Sequence, residues 1–464
     1  MREHLLQVFK IVDKYIHNIE KENEVLDFNT PEDIGKIMDI KIPSKGEGID
    51  KLSSNIENYL KYSLNTGNRQ FFNQLYGGFN YPAFIGDMIT SLANTSMYTF
   101  EVAPVATILE LELVKKMNEF TGFKDGDGIF VSGGSNANLV AMFTARNQKD
   151  PSIKQNGYSN NNFKAFVSEQ AHYSFDTAAN LLGIGARNLL KIKTDSDGRM
   201  LPEDLEYQIK ISLEKGDKPF FVSATAGTTV MGAFDPIDKL VEICRKYNLW
   251  LHVDGSFGGS VILSRKHRSF FNGIEDSDSF TWNPHKLMNI PLICSVLLIN
   301  SKQYLQENII NCETDYIFHD THTSDFDLGT KSIQCGRRVD SLKLWLAWKY
   351  FGDEGYESRI GRLFNIVRYF EKMVIDTKEL ELLAPVQSLS VCFRCIPTDG
   401  ANPDAFNLEL RERLRLNGET IINFGYLNKT LVLRFVAVNP EVKQKDIKRF
   451  FSILMNAYHE LTAS

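Results

Sequence analysis

Residues 219–254 read PFFVSATAGTTVMGAFDPIDKLVEICRKYNLWLHVD. PFFVSAT and WLHVD are apolar runs of strand length, and IDKLVEICRKYN between them reads as a helix. The same alternation extends across residues 105–300. Helical ILELELVKKMNEF leads into GIFVSGG, followed by helical NANLVAMFTARN, strand-like FKAFVSE and helical YSFDTAANLLGIG. Strand-like LLKIKT and the helix PEDLEYQIKISLEKG complete the series. Strands and helices taking turns predict an α/β fold with a mainly parallel sheet covered on both faces.

After Asp340 the character changes to the helices SLKLWLAWKYF and ESRIGRLFNIVRYFEKMVI, short strands in SLSVCFRCIP and LVLRFVAV, and a final helix DIKRFFSILMNAYHEL. This predicts a smaller α+β domain. At the other end, Leu5, Val8, Phe9, Val12, Ile16 and Ile19 form one apolar helical stripe. That helix either docks on its own domain or is exchanged with a second copy. The expected organisation is an N-terminal helical arm over 1–60 at a dimer interface, a large domain over 61–341 and a small domain over 342–464.

With 464 residues, 43% hydrophobic and 24% charged, the composition is that of a soluble globular protein with more than one domain. The 58 acidic and 52 basic residues are spread along the chain and give a net charge of -6, so no footprint for nucleic acid or anionic lipid is present. The start of the chain lacks an apolar core of signal-peptide length, and no apolar stretch reaches the ~18 residues of a membrane span. A cytoplasmic protein is expected, with small molecules or another protein chain as partners. Of the six cysteines, only Cys392 and Cys395 are closely spaced, in LSVCFRCIP. They read as packing residues of a strand, with no second pair to complete a zinc site; no metal is expected.

In sheets of this kind ligands bind at the carboxyl ends of the strands. Gly133-Gly134, Thr225, Asp254 and Lys286 all lie at or just after predicted strand ends. Lys286, in NPHK, is flanked by the apolar runs DSFTW and IPLICSVLLI. A lysine at a strand end is ordinarily a solvated charge, but burial would make this one an amine nucleophile toward a carbonyl. Asp254, followed by the small Gly255 and Ser256, serves either as a turn or cap residue or as the anion that keeps a pyridine nitrogen protonated. Gly133-Gly134-Ser135-Asn136-Ala137 runs into a helix N-terminus, where backbone N–H groups can bind phosphate. His172 lies at the next strand-to-helix junction, where an imidazole can stack on a ring, and Thr225 ends another strand.

Together these segments resemble, in order, the group II decarboxylases that depend on pyridoxal phosphate (PLP), above all the glutamate, aspartate and cysteine-sulfinate enzymes. The resemblance rests on FFNQLYGG, ANTSMYTFEVAPV, DGIFVSGGSNAN, HYSFDTAANLLGIG, ATAGTTVMGAFDPID, LWLHVDGSFGG, SRKHRSFFNGIEDSDSFTWNPHK, IQCGRRVDSLKLWLAWK and LRFVAVNP, and runs from about Asn65 onward. It implies the fold type I (aspartate-aminotransferase-like) architecture and a homodimer with active sites at the interface. The substrate would be an acidic amino acid, released as CO2 and an amine.

Carried over by position, Lys286 would be the Schiff-base lysine, Asp254 the partner of the pyridine nitrogen and His172 the stacking imidazole. Ser135, Asn136 and Ala137 would hold the phosphate, with Gly336 approaching it from the other subunit. Thr225, Ser256, Asn283 and His285 would complete the cofactor pocket. Gln74 and Arg434 match residues that bind substrate carboxylates. Tyr76 replaces a small residue of the glutamate enzymes, which points to a shorter acid such as aspartate or cysteine sulfinate.

Two positions depart from the family pattern. Ala137 stands where a serine is usual, so one hydroxyl contact is missing or moves to Ser135. Phe326 stands where relatives carry a tyrosine that donates a proton. Tyr316, His319 or His322 could donate instead, with His172 and Lys286 as further candidates. Without a donor the outcome would be an aldehyde synthase. A non-catalytic binding or regulatory protein of the same fold would have been signalled by loss of Lys286 or Asp254, and both are present.

Overall fold

The computed structural model describes residues 2–19, 24–158, 162–309, 316–319, 321–398 and 400–463. Its strands are β1 (Phe71–Phe72), β2 (Asp127–Val131), β3 (Phe163–Ser168), β4 (Leu189–Ile192), β5 (Lys218–Thr225) and β6 (Trp250–Gly255). They continue with β7 (Ser279–Trp282), β8 (Ser295–Ile299), β9 (Leu380–Leu382), β10 (Ser390–Cys395), β11 (Ile421–Leu427) and β12 (Thr430–Val436). Two compact units emerge, one comprising Asn80–Arg362 with Val386–Ser388, the other Met1–Phe79, Leu363–Pro385 and Leu389–Ser464.

The first unit is built on a seven-stranded sheet in the order β2-β8-β7-β6-β5-β3-β4. Pairing is parallel from β4 through β7, and β8 alone runs antiparallel, between β7 and β2. The helices Gly134–Lys149, Ser174–Leu181, Pro202–Glu214 and Ile237–Tyr247 separate successive strands from β2 to β6, as the alternation predicts. The strands read as apolar runs because helices cover the sheet: all six residues of β6 are buried, as are seven of the eight in β5. Ile129, Ala141, Ala165, Val167, Phe175 and Leu297 belong to one buried cluster of this unit.

The second unit holds a five-stranded sheet, β1-β11-β12-β10-β9, antiparallel except where β1 joins β11. Residues before Phe79 fall in the same unit as the C-terminal ones, against expected breaks near 60 and 341. The cause is strand pairing and backbone bonding: Phe71 and Phe72 pair with Ile421 and Ile422, and Val25 N–H donates to the Gly418 carbonyl at 2.7 Å. A two-residue strand carries no periodicity for sequence reading to find. The two expected helices after Asp340 meet at Gly352, whose φ of 65° breaks the α-helical path between them. Cys392 and Cys395 are buried in β10. No helix among the described residues is long and apolar enough to cross a membrane.

Gly418 caps the Pro403–Asn417 helix at φ 70°, and a side chain there would run into the Leu26 carbonyl oxygen. Gly418→Ala should therefore lower stability by about 2–4 kcal/mol, from left-handed strain plus overpacking. Gly216, at φ 76° with open space around it, should lose only about 1 kcal/mol on the same change. Urea unfolding midpoints of the two variants check the difference.

Candidate active site

Five carboxyl-end junctions of the seven-stranded sheet, those of β2, β3, β5, β6 and β7, carry polar side chains. Beyond β2 the chain turns at Gly133 (φ 133°) into the Gly134–Lys149 helix, whose first turn holds Ser135, Asn136 and Ala137. His172 follows β3, Thr225 ends β5, Asp254 and Ser256 close β6, and Asn283, His285 and Lys286 follow β7. The parallel register sets Thr225 beside Asp254 and Asp254 beside Thr281.

Asp254 is 3% exposed, and no lysine or arginine among the described residues forms an ion pair with it. Burial alone would raise its carboxyl. The donors Ser256 and Asn138, with His252 nearby, outweigh that and hold it below the usual carboxylate value. Ser256 N–H donates to Oδ1 at 2.9 Å, and Asn138 Nδ2 donates to Oδ2 at 2.8 Å. A buried, ionised carboxylate without a cation is costly unless a ligand supplies the positive charge.

His172 is half-buried, and its Nδ1 accepts from Ser174 N–H at 3.2 Å. Nδ1 being the acceptor, a neutral ring carries its proton on Nε2. Burial lowers its pKa, Asp254 pushes it back up and Lys286 lowers it further, so all three groups share one electrostatic neighbourhood. His285 is buried with Nδ1 2.7 Å from the Cys294 carbonyl, and burial, reinforced by Lys286, brings it down to about 4. Lys286 is half-buried, in a turn closed by its N–H on the Asn283 carbonyl at 3.0 Å.

Several polar atoms here point to a polar ligand. Asn136 Oδ1, Thr225 Oγ1 and Asn283 Oδ1 are buried without a hydrogen-bond partner. A side chain at Gly134 would collide with Ser256 Oγ and come within 2.7 Å of Asn283 Nδ2, so the helix start closes directly on the ends of β6 and β7. The N–H groups of Asn136 and Ala137 both donate to the Gly133 carbonyl at 3.0 Å, and the Ala137 side chain is fully buried. Ser135, by contrast, is exposed. The donor set suits an anion at the helix start, a cationic ring nitrogen at Asp254 and a carbonyl at Lys286.

Other expected residues stand outside this cluster. Tyr316 is 80% exposed, His319 and His322 are exposed, and Phe326 packs on Phe100 with ring centroids 5.6 Å apart. Gly336 is exposed, with only Ser96 Oγ near the place a side chain would take. In the second unit, Arg434 is buried in β12 and donates to the Asn73 carbonyl at 2.7 Å, while Gln74 Nε2 donates to Asn73 Oδ1 at 3.0 Å. Tyr76 is half-buried beside Phe71.

Sequence reading missed Asn138, His252, Ser174 and Asn73. The signals were weak but present: His252 lies two residues before Asp254, hence on the same face of β6, and Asn138 lies one helical turn beyond Gly134.

The model of the pyridoxal-dependent decarboxylase conserved domain matches residues 31–396. Cysteine sulfinic acid decarboxylase of Mus musculus is 38% identical over 96% of this chain and 94% of its own length. Acidic amino acid decarboxylase GADL1 of Xenopus tropicalis is 39% identical over 91% of this chain and 86% of its own. A crystal structure of mouse CSAD, 37% identical, has a TM-score of 0.94 and covers 98% of both chains.

Burial lowers both His252 and His285 to about 4. Their folded-state values lie below the unfolded one of about 6.5, so each favours the folded state less as pH falls from about 6.5 toward 4. Histidine ring NMR should show both rings neutral and unmoved from about pH 7 down to about pH 5. Protonation of either ring in that interval would contradict their burial.

Proposed function

As the chain belongs to the pyridoxal-dependent decarboxylase family, we propose that it removes the α-carboxylate of a short acidic L-amino acid as CO2, leaving the amine. Aspartate and cysteine sulfinate are the favoured substrates, with glutamate the longer alternative. The observation that carries this reading is the rim on which Lys286, His172 and the cation-free Asp254 converge.

PLP supplies an electron-accepting ring whose capacity depends on a protonated nitrogen. Lys286 would be the covalent attachment point through Nζ, and Asp254 would hold the proton on the ring nitrogen. His172 would lie against that ring, neutral, with its Nδ1 tied to the Ser174 N–H. With the N–H groups of Asn136 and Ala137 committed to Gly133, the phosphate falls to Ser135, to the Asn136 side chain and to the helix dipole. Thr225, Ser256, Asn283 and His285 line the remaining wall.

Arg434 and Gln74 are the proposed carboxylate ligands. Arg434 is already pinned on the Asn73 carbonyl, so its guanidinium is oriented before substrate arrives. Tyr76 limits the length of the acid. Which bond breaks depends on how the carboxylate is held, and these residues hold it.

A homodimer fits the apolar side chains left exposed on three helices: Leu5, Leu6 and Phe9 on one, Met88, Ile89 and Leu92 on the next, Val105 and Ile108 on the third. In it, exposed Gly336 would reach the phosphate of the other subunit. The compartment proposed is the cytoplasm. A second product reading rests on Phe326, a ring without an acidic proton, exposed where relatives place a tyrosine. If none of Tyr316, His319, His322, His172 and Lys286 protonates the product carbon, the outcome would be an aldehyde, with dioxygen taking the two electrons as hydrogen peroxide and water releasing the amino group as ammonia.

Incubation with aspartate, cysteine sulfinate, glutamate and aromatic amino acids, measuring both CO2 and product, tests the proposal. The expected result is CO2 from the acidic amino acids, fastest with the two shorter ones, and amine as the main product. Arg434→Met should cost about 2–5 kcal/mol of kcat/KM for the acids. Phe326→Tyr should raise the amine-to-aldehyde ratio. CO2 release from aromatic amino acids alone would overturn the substrate class.

A further inference from the structure

Asp254 receives its Oδ2 hydrogen bond from Asn138, and Asn138 is itself part of a longer buried series. Asn138 Oδ1 accepts from Thr281 Oγ1 at 3.0 Å and lies 3.1 Å from His252 Nε2. On the other side of that ring, His252 Nδ1 lies 2.8 Å from Ser279 Oγ, and Ser279 Oγ accepts from Trp250 Nε1 at 2.8 Å. His252, Ser279 and Thr281 are fully buried, and Asn138 is 1% exposed. None of these residues is needed to pair the strands, which their backbones already do.

The direction of the series follows from its first member. An indole nitrogen only donates, so Ser279 Oγ accepts from Trp250 and has one proton left to give. Its remaining partner is His252 Nδ1, which therefore accepts, placing the ring's own proton on Nε2. Nε2–H then faces Asn138 Oδ1 at 3.1 Å and Thr281 Oγ1 at 3.2 Å; with Thr281 giving its own proton to Asn138 Oδ1, the amide is fixed with its oxygen toward His252 and Thr281 and its N–H groups toward Asp254 and, at 3.0 Å, Ser174 Oγ. Reversing the ring tautomer would strand the Ser279 proton. Turning the Asn138 amide over would set its oxygen against the Asp254 carboxylate. Each alternative leaves a buried group unsatisfied, at a cost of about 1–3 kcal/mol.

We propose that Trp250, Ser279, His252 and Asn138 form a one-way hydrogen-bond chain that ends on Asp254 and keeps it an ionised acceptor, with its charge unspent, for the cofactor's ring nitrogen. The inference rests on the reading of the rim as a PLP site and deepens it: these four are positioning residues. Every member is neutral, so the chain orients Asp254 without neutralising it. A cation in the place of His252 would compete with the ring N–H for the same carboxylate. Ser174 ties the second ring contact into the same series, since its Oγ accepts from Asn138 while its N–H fixes His172 Nδ1. One amide thus sets the group that holds the ring nitrogen and steadies the one that lies on the ring face.

The test uses full-length protein loaded with PLP. Histidine 15N NMR of the unmodified enzyme should find His252 as the neutral Nε2–H tautomer. With PLP labelled at the ring nitrogen, the same method should find that nitrogen protonated. His252→Phe should move the ring-nitrogen resonance toward the unprotonated position and weaken PLP binding about tenfold or more, because Asn138, no longer held by His252, gives up its hydrogen bond to the charged Asp254. His252→Gln, which keeps an N–H to offer Asn138, should restore most of both. A purely structural role would show as equal loss in both variants with the ring nitrogen still protonated, and that result overturns the proposal. So does an Nδ1–H or charged His252 in the unmodified enzyme, a result that stands even where a variant fails to fold. If the unmodified enzyme takes up no PLP at all, it is the cofactor reading that fails instead.

Discussion

A carboxylate is held buried and ionised at the end of β6 with no ion pair to a lysine or arginine among the described residues, and the architecture around Asp254 answers that constraint. The cost of burying an isolated charge is large in a low-dielectric interior. Ser256 and Asn138 offset it with N–H groups aimed at the two oxygens. What they leave unmet is positive charge, which a protonated pyridine ring supplies. The site thus keeps an ionised acceptor ready, which suits a cofactor that brings a cationic ring nitrogen.

The parallel sheet explains why the complementary groups lie together although the chain separates them widely. Residues 133 to 286 cross the sheet repeatedly, and each return brings a strand's carboxyl end to the same rim. The glycine turn supplies a helix N-terminus, β5 and β6 supply Thr225 and Asp254 in register, and the turn after β7 supplies Lys286. Strand pairing also fixes the support behind the rim, because His252 faces Ser279, and Asp254 faces Thr281, across β6 and β7. Asp254, His252 and Asn138 sit on a strand and a helix, whereas Lys286 follows β7 in a turn, exposed Tyr316 also lies in a turn and exposed Phe326 ends a short 3-10 helix.

Much of this was legible in the sequence because it depends on period and order. The strand-helix alternation reveals the sheet, and strand ends reveal Asp254, Lys286 and the glycine turn. The antiparallel β8 was not legible, since an apolar run does not state its direction. Nor was the grouping of the first 79 residues with the C-terminal sheet, which rests on a two-residue strand and a few backbone bonds. Asn138 and His252 escaped for a different reason: a buried polar side chain takes its meaning from its partners, and those partners are brought together only by tertiary pairing. For the same cause, sequence cannot show that the N–H groups of Asn136 and Ala137 bond the Gly133 carbonyl.

The central claim, that this rim holds PLP on Lys286, is tested most directly by loading the purified protein with PLP, reducing with borohydride and mapping the modified peptide by mass. A visible absorbance band that disappears on reduction is expected, with a single stoichiometric adduct on Lys286 within NPHK. An adduct on another lysine, or no absorbance band with PLP in excess, would contradict it.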